Sequence, residues 1–230
     1  MWVHRGKNSA PTLSTRYQES LLFPLFTAAL IFVALQVSSA QAQSVDLTSP
    51  DQHFTVQQPR VLDAKEALAV YQNVRARMFS GYSGARNPAI ADLDQWPVYN
   101  SAPYRSATHG QRYVNNYANP MARAYGRYEA SGPMPVGAVL AKDSFTVTGK
   151  GDVFAGALFL MEKMPAGFNQ ASHDWKYTMI MPDGSLFGTT KGDGSKRVAF
   201  CITCHEAVAE KHHQMFFVPE EYRVEVLNSQ

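Results

Sequence analysis

Apolar residues recur along this chain with several different periods, and each period predicts a different kind of element. Leu21–Leu35 is an almost unbroken apolar run. In LDAKEALAVYQNVRARMF, residues 62–79, the side chains of Leu62, Leu68, Tyr71, Val74 and Met78 fall close to one stripe at helical spacing, with Asp63 placed as an N-cap. Residues 81–103 are broken by Gly, Asn, Pro and Ser and read as loop with short pieces of structure. A second helix is expected over Val114–Tyr128, with Pro120 opening or dividing it. Beyond SGPMPVG the period changes. AVLAKDSFTV, DVFAGALFLMEKM and DWKYTMIMPDGSLFGTT are strand-like, and Pro182-Asp183-Gly184 is a hairpin turn signal. RVAFCITCHEAVAEKHH returns to helical propensity, and Phe216-Phe217-Val218-Pro219 ends that helix in an extended tail. The predicted fold class is α+β: an antiparallel β-sheet meander with flanking helices, the last of them near the C-terminus.

Arg5, Lys7 and Arg16 precede the apolar run, and Ala40-Gln41-Ala42 after it has the small-x-small form of a signal-peptidase site. Residues 1–42 are therefore read as an export signal, which places the mature protein in the periplasm. The alternative is an uncleaved membrane anchor, for which an apolar run of this length is short. The polar residues 43–60 suit a flexible linker, and 61–230 form one domain. With 45% hydrophobic and 17% charged residues the chain can build a core, while a net charge of +2 without a basic run excludes a nucleic-acid partner. Contact with the membrane is expected only through the signal segment.

Candidate chemistry concentrates in FCITCHEA. The two cysteines of the chain, Cys201 and Cys204, stand three apart, and His205 follows. Covalent haem attachment needs that set: each sulfur adds to one haem vinyl group and the adjacent imidazole becomes the proximal iron ligand. One haem c, with its iron, is the predicted cofactor. A disulfide or thioredoxin-like dithiol would normally follow an early strand of a βαβ unit, and zinc would need further ligands that adjacent His212 and His213 supply awkwardly.

The motif lies near the end of the chain, so an axial methionine would have to come from Met121, Met134, Met161, Met164, Met179 or Met181, residues that also serve as core filler. Met215 follows the motif too closely to reach the opposite axial position. His109 is a second candidate sixth ligand, which would give a low-spin electron carrier; a turn-capping role is its alternative. Without a sixth ligand the iron is five-coordinate and open to a small molecule. Arg105 and Arg112 are candidate partners for the haem propionates.

VGAVLAKDSF, ALFLMEKMPAGFN, DWKYTMIMPDGSLFGTT, VAFCITCHEA and FFVPEEYR, in this order, resemble the cytochrome P460 family and its β-rich relatives called cytochrome c′-beta, over about Trp96 to Arg223. The resemblance implies an antiparallel sheet with flanking helices, often dimeric, with haem held against the sheet. It implies binding or oxidation of hydroxylamine or nitric oxide, with a redox partner cytochrome for the enzymatic members. It also implies a lysine bonded to the haem in hydroxylamine-oxidising members, for which Lys142 is the matching position. The alternatives for Lys142 are an exposed lysine or an ion pair with Glu162 or Asp143. Oxidation further needs a distal base, for which Glu162 is the first candidate and Asp174 the second. Phe145, Phe154, Phe159 and Phe187 are candidates to line the ligand pocket or to fill the core. The remaining functional class is a non-enzymatic protein that binds nitric oxide or passes electrons.

Overall fold

The computed structural model describes residues 59–225, so the expected signal and most of the expected linker lie outside the described residues. Of the linker, Pro59 bridges to Thr148, and the Arg60 amide donates to the Val147 carbonyl at 2.7 Å.

Helix α1, Ala64–Ser83, begins where the sequence places it. The Asp63 side chain accepts from the Glu66 amide and the Glu66 carboxylate accepts from the Asp63 amide, a reciprocal cap. The buried stripe is Ala67, Tyr71, Met78 and Tyr82, with Val74 half-buried. The helix outruns the expected end at Phe79 and passes through Gly81. That glycine is required by close approach: a Cβ there would sit 2.0 Å from the Pro182 carbonyl oxygen, in the turn of the last hairpin.

The sheet contains β1 (Tyr104–Arg105), β2 (Tyr113–Ala118), β3 (Val139–Val147), β4 (Val153–Ala155), β5 (Leu158–Lys163), β6 (Trp175–Ile180) and β7 (Leu186–Thr189). The strands are antiparallel in the order β1-β2-β3-β5-β6-β7, with β4 also paired to β3, which is the predicted meander with two extra strands at one side. Gly184 turns the last hairpin at φ 83°, where a side chain is disfavoured. Helices α2 (Ala199–Glu206) and α3 (Ala209–His212) replace the single expected C-terminal helix.

The helix expected over Val114–Tyr128 is corrected. Its first part is strand β2, and Pro120–Ala130 forms 3-10 turns opened by the Asn119 side chain, which accepts from the Ala122 amide. All six residues of β2 are buried, so the strand shows no inside-outside alternation, and its Tyr-Val-Asn-Asn-Tyr pattern does not separate strand from helix.

Two hydrophobic clusters cover the two faces of the sheet. Tyr113, Tyr117, Val139, Ala141, Phe145, Leu158, Leu160 and Ile180 pack with α1. Val114, Ala118, Leu140, Tyr177 and Trp175 pack with Tyr99, Tyr125, Met215 and Val218. Buried within the α1 face is Asp143. It accepts from Tyr71 Oη at 2.7 Å, Tyr117 Oη at 2.9 Å and Asn115 Nδ2 at 2.9 Å. Asp143→Ala strips the acceptor from three buried donors and should cost about 3 kcal/mol or more. Thermal unfolding should register a fall of roughly 6–12 °C, with a smaller fall for Asp143→Asn, which keeps one acceptor oxygen. An unchanged melting temperature in Asp143→Ala would contradict this account of the core.

Candidate cofactor site

Helix α2 follows a left-handed Gly194 and the short turn Ser195–Val198. Cys201, Cys204 and His205 stand at i, i+3 and i+4, a spacing that gathers them on one side of the helix. All three line a cavity of about 460 Å³, a volume within the range of cofactor sites. Further walls come from the sheet face that carries Leu140 and Lys142 of β3, Phe159 and Met161 of β5 and Tyr177 of β6. Phe200, Phe216 and the loop 107–111 between β1 and β2 complete it.

His205 is buried, and its Nδ1 lies 2.6 Å from the Gln214 carbonyl oxygen. A carbonyl only accepts, so Nδ1 carries the proton and Nε2 keeps the lone pair that a metal needs. Burial holds the imidazole down at about 4, and the ring is neutral at physiological pH. Tyr177 and Phe216 flank it with ring centroids at 5.0 and 5.1 Å. The carbonyl is aimed by two successive left-handed residues, His213 at φ 50° and Gln214 at φ 67°, a conformation that costs free energy outside glycine. The Gln214 side chain pins the turn. Tyr177 Oη donates to its Oε1 at 2.8 Å, and its Nε2 donates to Glu206 at 2.7 Å.

Cys201 and Cys204 are free thiols, and burial pushes Cys201 up to about 12. Among the described residues no cluster of three or more His, Cys, Asp or Glu forms, so the zinc alternative has no ligand set. The dithiol alternative lacks its βαβ setting, because the motif follows an antiparallel sheet. Two thiols, a neutral imidazole presenting Nε2, and walls of Phe159, Phe200, Phe216, Leu140 and Met161 fit a haem group.

The sequence model of the family described as Cytochrome P460 matches residues 90–218, from before β1 to beyond α3. The chain belongs to the cytochrome P460 family. Membership implies a haem cofactor, and the matched segment holds every element that walls the cavity. No curated protein matches the sequence.

In this cytochrome P460 fold the strand alternation sorts the other candidates. Lys142 lines the cavity beside Leu140, whereas Asp143 faces α1 and is spent on Tyr71, Tyr117 and Asn115. Glu162, the first candidate for a distal base, lies outside the described cavity lining. It pairs across strands with Val139, on the α1 face, forms an ion pair with Lys176, and borders a separate depression with Trp96 and Asn119. Neither carboxylate therefore pairs with Lys142, and it takes no part in the four ion pairs among the described residues. Burial lowers its ammonium to about 8.

Asp174 sits at a left-handed turn and accepts from the Asn169 amide at 2.9 Å, which holds its carboxyl below the usual range and leaves it outside the described cavity lining. Arg105 donates to Gln111 at 3.1 Å and Arg112 is buried; neither is among the described lining residues. Of the candidate phenylalanines only Phe159 lines the cavity. Phe145 stacks between Tyr71 and Tyr113, Phe154 is exposed and Phe187 packs with Met179 and Val198. Of the six candidate methionines, Met161 is the one on the described wall. Phe200, Phe216 and Gln214 went unassigned in the sequence: the first two flank the motif without marking which way they point, and Gln214 acts through a carbonyl that any residue carries.

Lys142 carries a signature in pH. An unfolded lysine titrates near 10.4, so between about pH 8 and that value the unfolded chain holds a proton the folded chain has lost, and stability gains with rising pH. Lys142→Met should stabilise the haem-free protein by about 3 kcal/mol at pH 7. Urea unfolding of both proteins should show that advantage shrinking by pH 10; a constant difference would contradict a desolvated ammonium without an ion pair.

Proposed function

We propose that this chain is an exported c-type cytochrome that holds one haem in the cavity and binds or oxidises a small nitrogen species, hydroxylamine or nitric oxide. The observation that carries the reading is the His205–Gln214 hydrogen bond, because it fixes the tautomer and orientation of an imidazole beside two thiols on the wall of an aromatic cavity. Cys201 and Cys204 would hold the haem through thioethers and His205 Nε2 would ligate its iron. Bound there, the haem supplies a redox-active iron, taken here as five-coordinate with its remaining axial position open to the ligand.

The protein's own contribution is orientation and exclusion of water. Tyr177 and Gln214 lock the His205 side, and Leu140, Phe159, Met161 and Phe216 present apolar surface around the ligand space. Lys142 supports the hydroxylamine-oxidising form: it lines the cavity, and an amine brought down to about 8 is partly neutral near physiological pH and then keeps its lone pair. Export is supported by the basic start, the apolar run and Ala40-Gln41-Ala42. A redox partner cytochrome and a homodimer belong to the same reading, on the strength of the family resemblance.

A second reading, non-enzymatic nitric-oxide binding or electron transfer, is favoured by one observation: no carboxylate is among the described lining residues. Absorption spectra and intact mass of protein matured with haem c separate the two. The enzymatic reading predicts a strongly red-shifted ferrous Soret band that is lost in Lys142→Ala. An ordinary high-spin spectrum, unchanged by that substitution, would favour gas binding, and a low-spin spectrum would contradict five-coordination.

A further inference from the structure

Tyr117 of β2, Tyr125 of the turns Pro120–Ala130 and Tyr177 of β6 are the tyrosines among the described lining residues of the cavity. What their hydroxyls meet separates them. Tyr125 Oη donates to the Phe216 carbonyl at 2.9 Å, and Tyr177 Oη donates to the side-chain carbonyl of Gln214 at 2.8 Å. An amide oxygen accepts a hydrogen bond but does not keep the proton near neutral pH. Tyr117 Oη donates to a carboxylate instead, Asp143 Oδ2, at 2.9 Å. Of the three phenols, Tyr117 is thus the one joined to a base.

Tyr117 stands at the boundary between the cavity and the α1 core. It belongs to the cavity wall, while its ring packs edge-on against Phe79 of α1 with centroids 5.9 Å apart. Tyr117 and Asp143 are fully buried, and Tyr71, whose Oη donates to Asp143 Oδ2 at 2.7 Å and also meets Tyr117 Oη, is buried beside them. Water is therefore kept from the cluster. Burial raises the Asp143 carboxyl, which favours uptake of a proton, and burial holds Tyr117 as the neutral phenol. A neutral phenol gives up an electron readily only when its proton leaves in the same event, because the radical cation is a very strong acid. The Tyr117–Asp143 hydrogen bond supplies that exit for the proton.

We infer that Tyr117 and Asp143 form a second redox site, in which the phenol gives one electron to haem oxidised by a peroxide and the carboxylate takes the phenol's proton. This rests on the reading above that the cavity holds haem. Cleavage of the peroxide O–O bond draws two electrons from the haem group and two protons from solvent, leaving water, or water and an alcohol. Tyr117 returns one of those electrons. Its O–H bond breaks, an O–H bond forms on Asp143 Oδ2, and a neutral phenoxyl remains. The buried cluster passes from one negative charge to none, the direction that burial favours. The protonated Asp143 and the Tyr71 hydroxyl are then the groups placed to donate to the phenoxyl oxygen. An oxidising equivalent left in the cavity without a reducing ligand is in this way moved onto a side chain that solvent does not reach.

The test is electron paramagnetic resonance of the haem-loaded protein, frozen rapidly after mixing with hydrogen peroxide, in the parent, Tyr117→Phe, Tyr71→Phe and Tyr125→Phe. The expected result is a tyrosyl radical in the parent that is lost in Tyr117→Phe and kept in Tyr125→Phe. Tyr71→Phe should keep the radical but change its high-field spectrum, because one donor to the phenoxyl oxygen is gone. That spectrum also tests the assignment in the parent alone, without any substitution: a phenoxyl free of hydrogen bonds overturns it. A radical that survives in Tyr117→Phe overturns it as well, and so does a parent whose haem is oxidised by peroxide with no organic radical formed. Haem uptake, read by absorption before mixing, distinguishes failure of the underlying reading: a protein that takes up no haem overturns both, whereas a haem-loaded parent without the radical overturns this inference alone.

Discussion

Strand β3 has a two-residue period, and the site depends on it. Lys142 and Asp143 are neighbours in sequence, yet the pleat sends the first toward the cavity and the second toward α1. Each face then meets a different electrostatic requirement. On the α1 side a carboxylate is buried with two phenols and an amide donating to it, so its charge is dispersed over hydrogen bonds. On the cavity side a half-buried amine has no ion-pair partner among the described residues, and desolvation lowers its proton affinity. One strand thus anchors the fold with one residue and lines the cavity with an amine at the next.

The same division between anchoring and chemistry appears on the α2 side. His205 is useful only if its ring is held by one nitrogen and open at the other. The hold comes from a strained turn, His213 and Gln214, stabilised by hydrogen bonds from Tyr177 and to Glu206. Tyr177 belongs to β6, so the sheet that walls the cavity also fixes the histidine beside it. Changes in sheet packing should therefore reach His205 through Tyr177 and Gln214.

How legible this was in the sequence differs from element to element. The start of α1 could be read because a cap is local: Asp63 and Glu66 suffice. Its end could not, because Gly81 looks like a breaker and is instead the point where the helix meets the Pro182 carbonyl. Strand β2 was misread as helix because burial on both faces erases the period that distinguishes the two. At the site, Cys201, Cys204 and His205 form a local pattern with one dominant chemical meaning. Strand alternation by itself puts Lys142 on the face of Leu140, but the face of Glu162 depends on its register with Val139, a long-range pairing that no local pattern states. The Gln214 carbonyl leaves no trace in residue type at all.

The central claim is that the cavity bounded by α2 and the sheet is the haem site, with His205 as its anchor. Diffraction from crystals of the haem-loaded protein, with the iron located by its anomalous signal, tests this most directly. The account predicts one iron within bonding distance of His205 Nε2, with continuous density from the porphyrin to Cys201 and Cys204. An iron bound elsewhere, or a His205 ring turned so that Nδ1 no longer meets the Gln214 carbonyl, would contradict it.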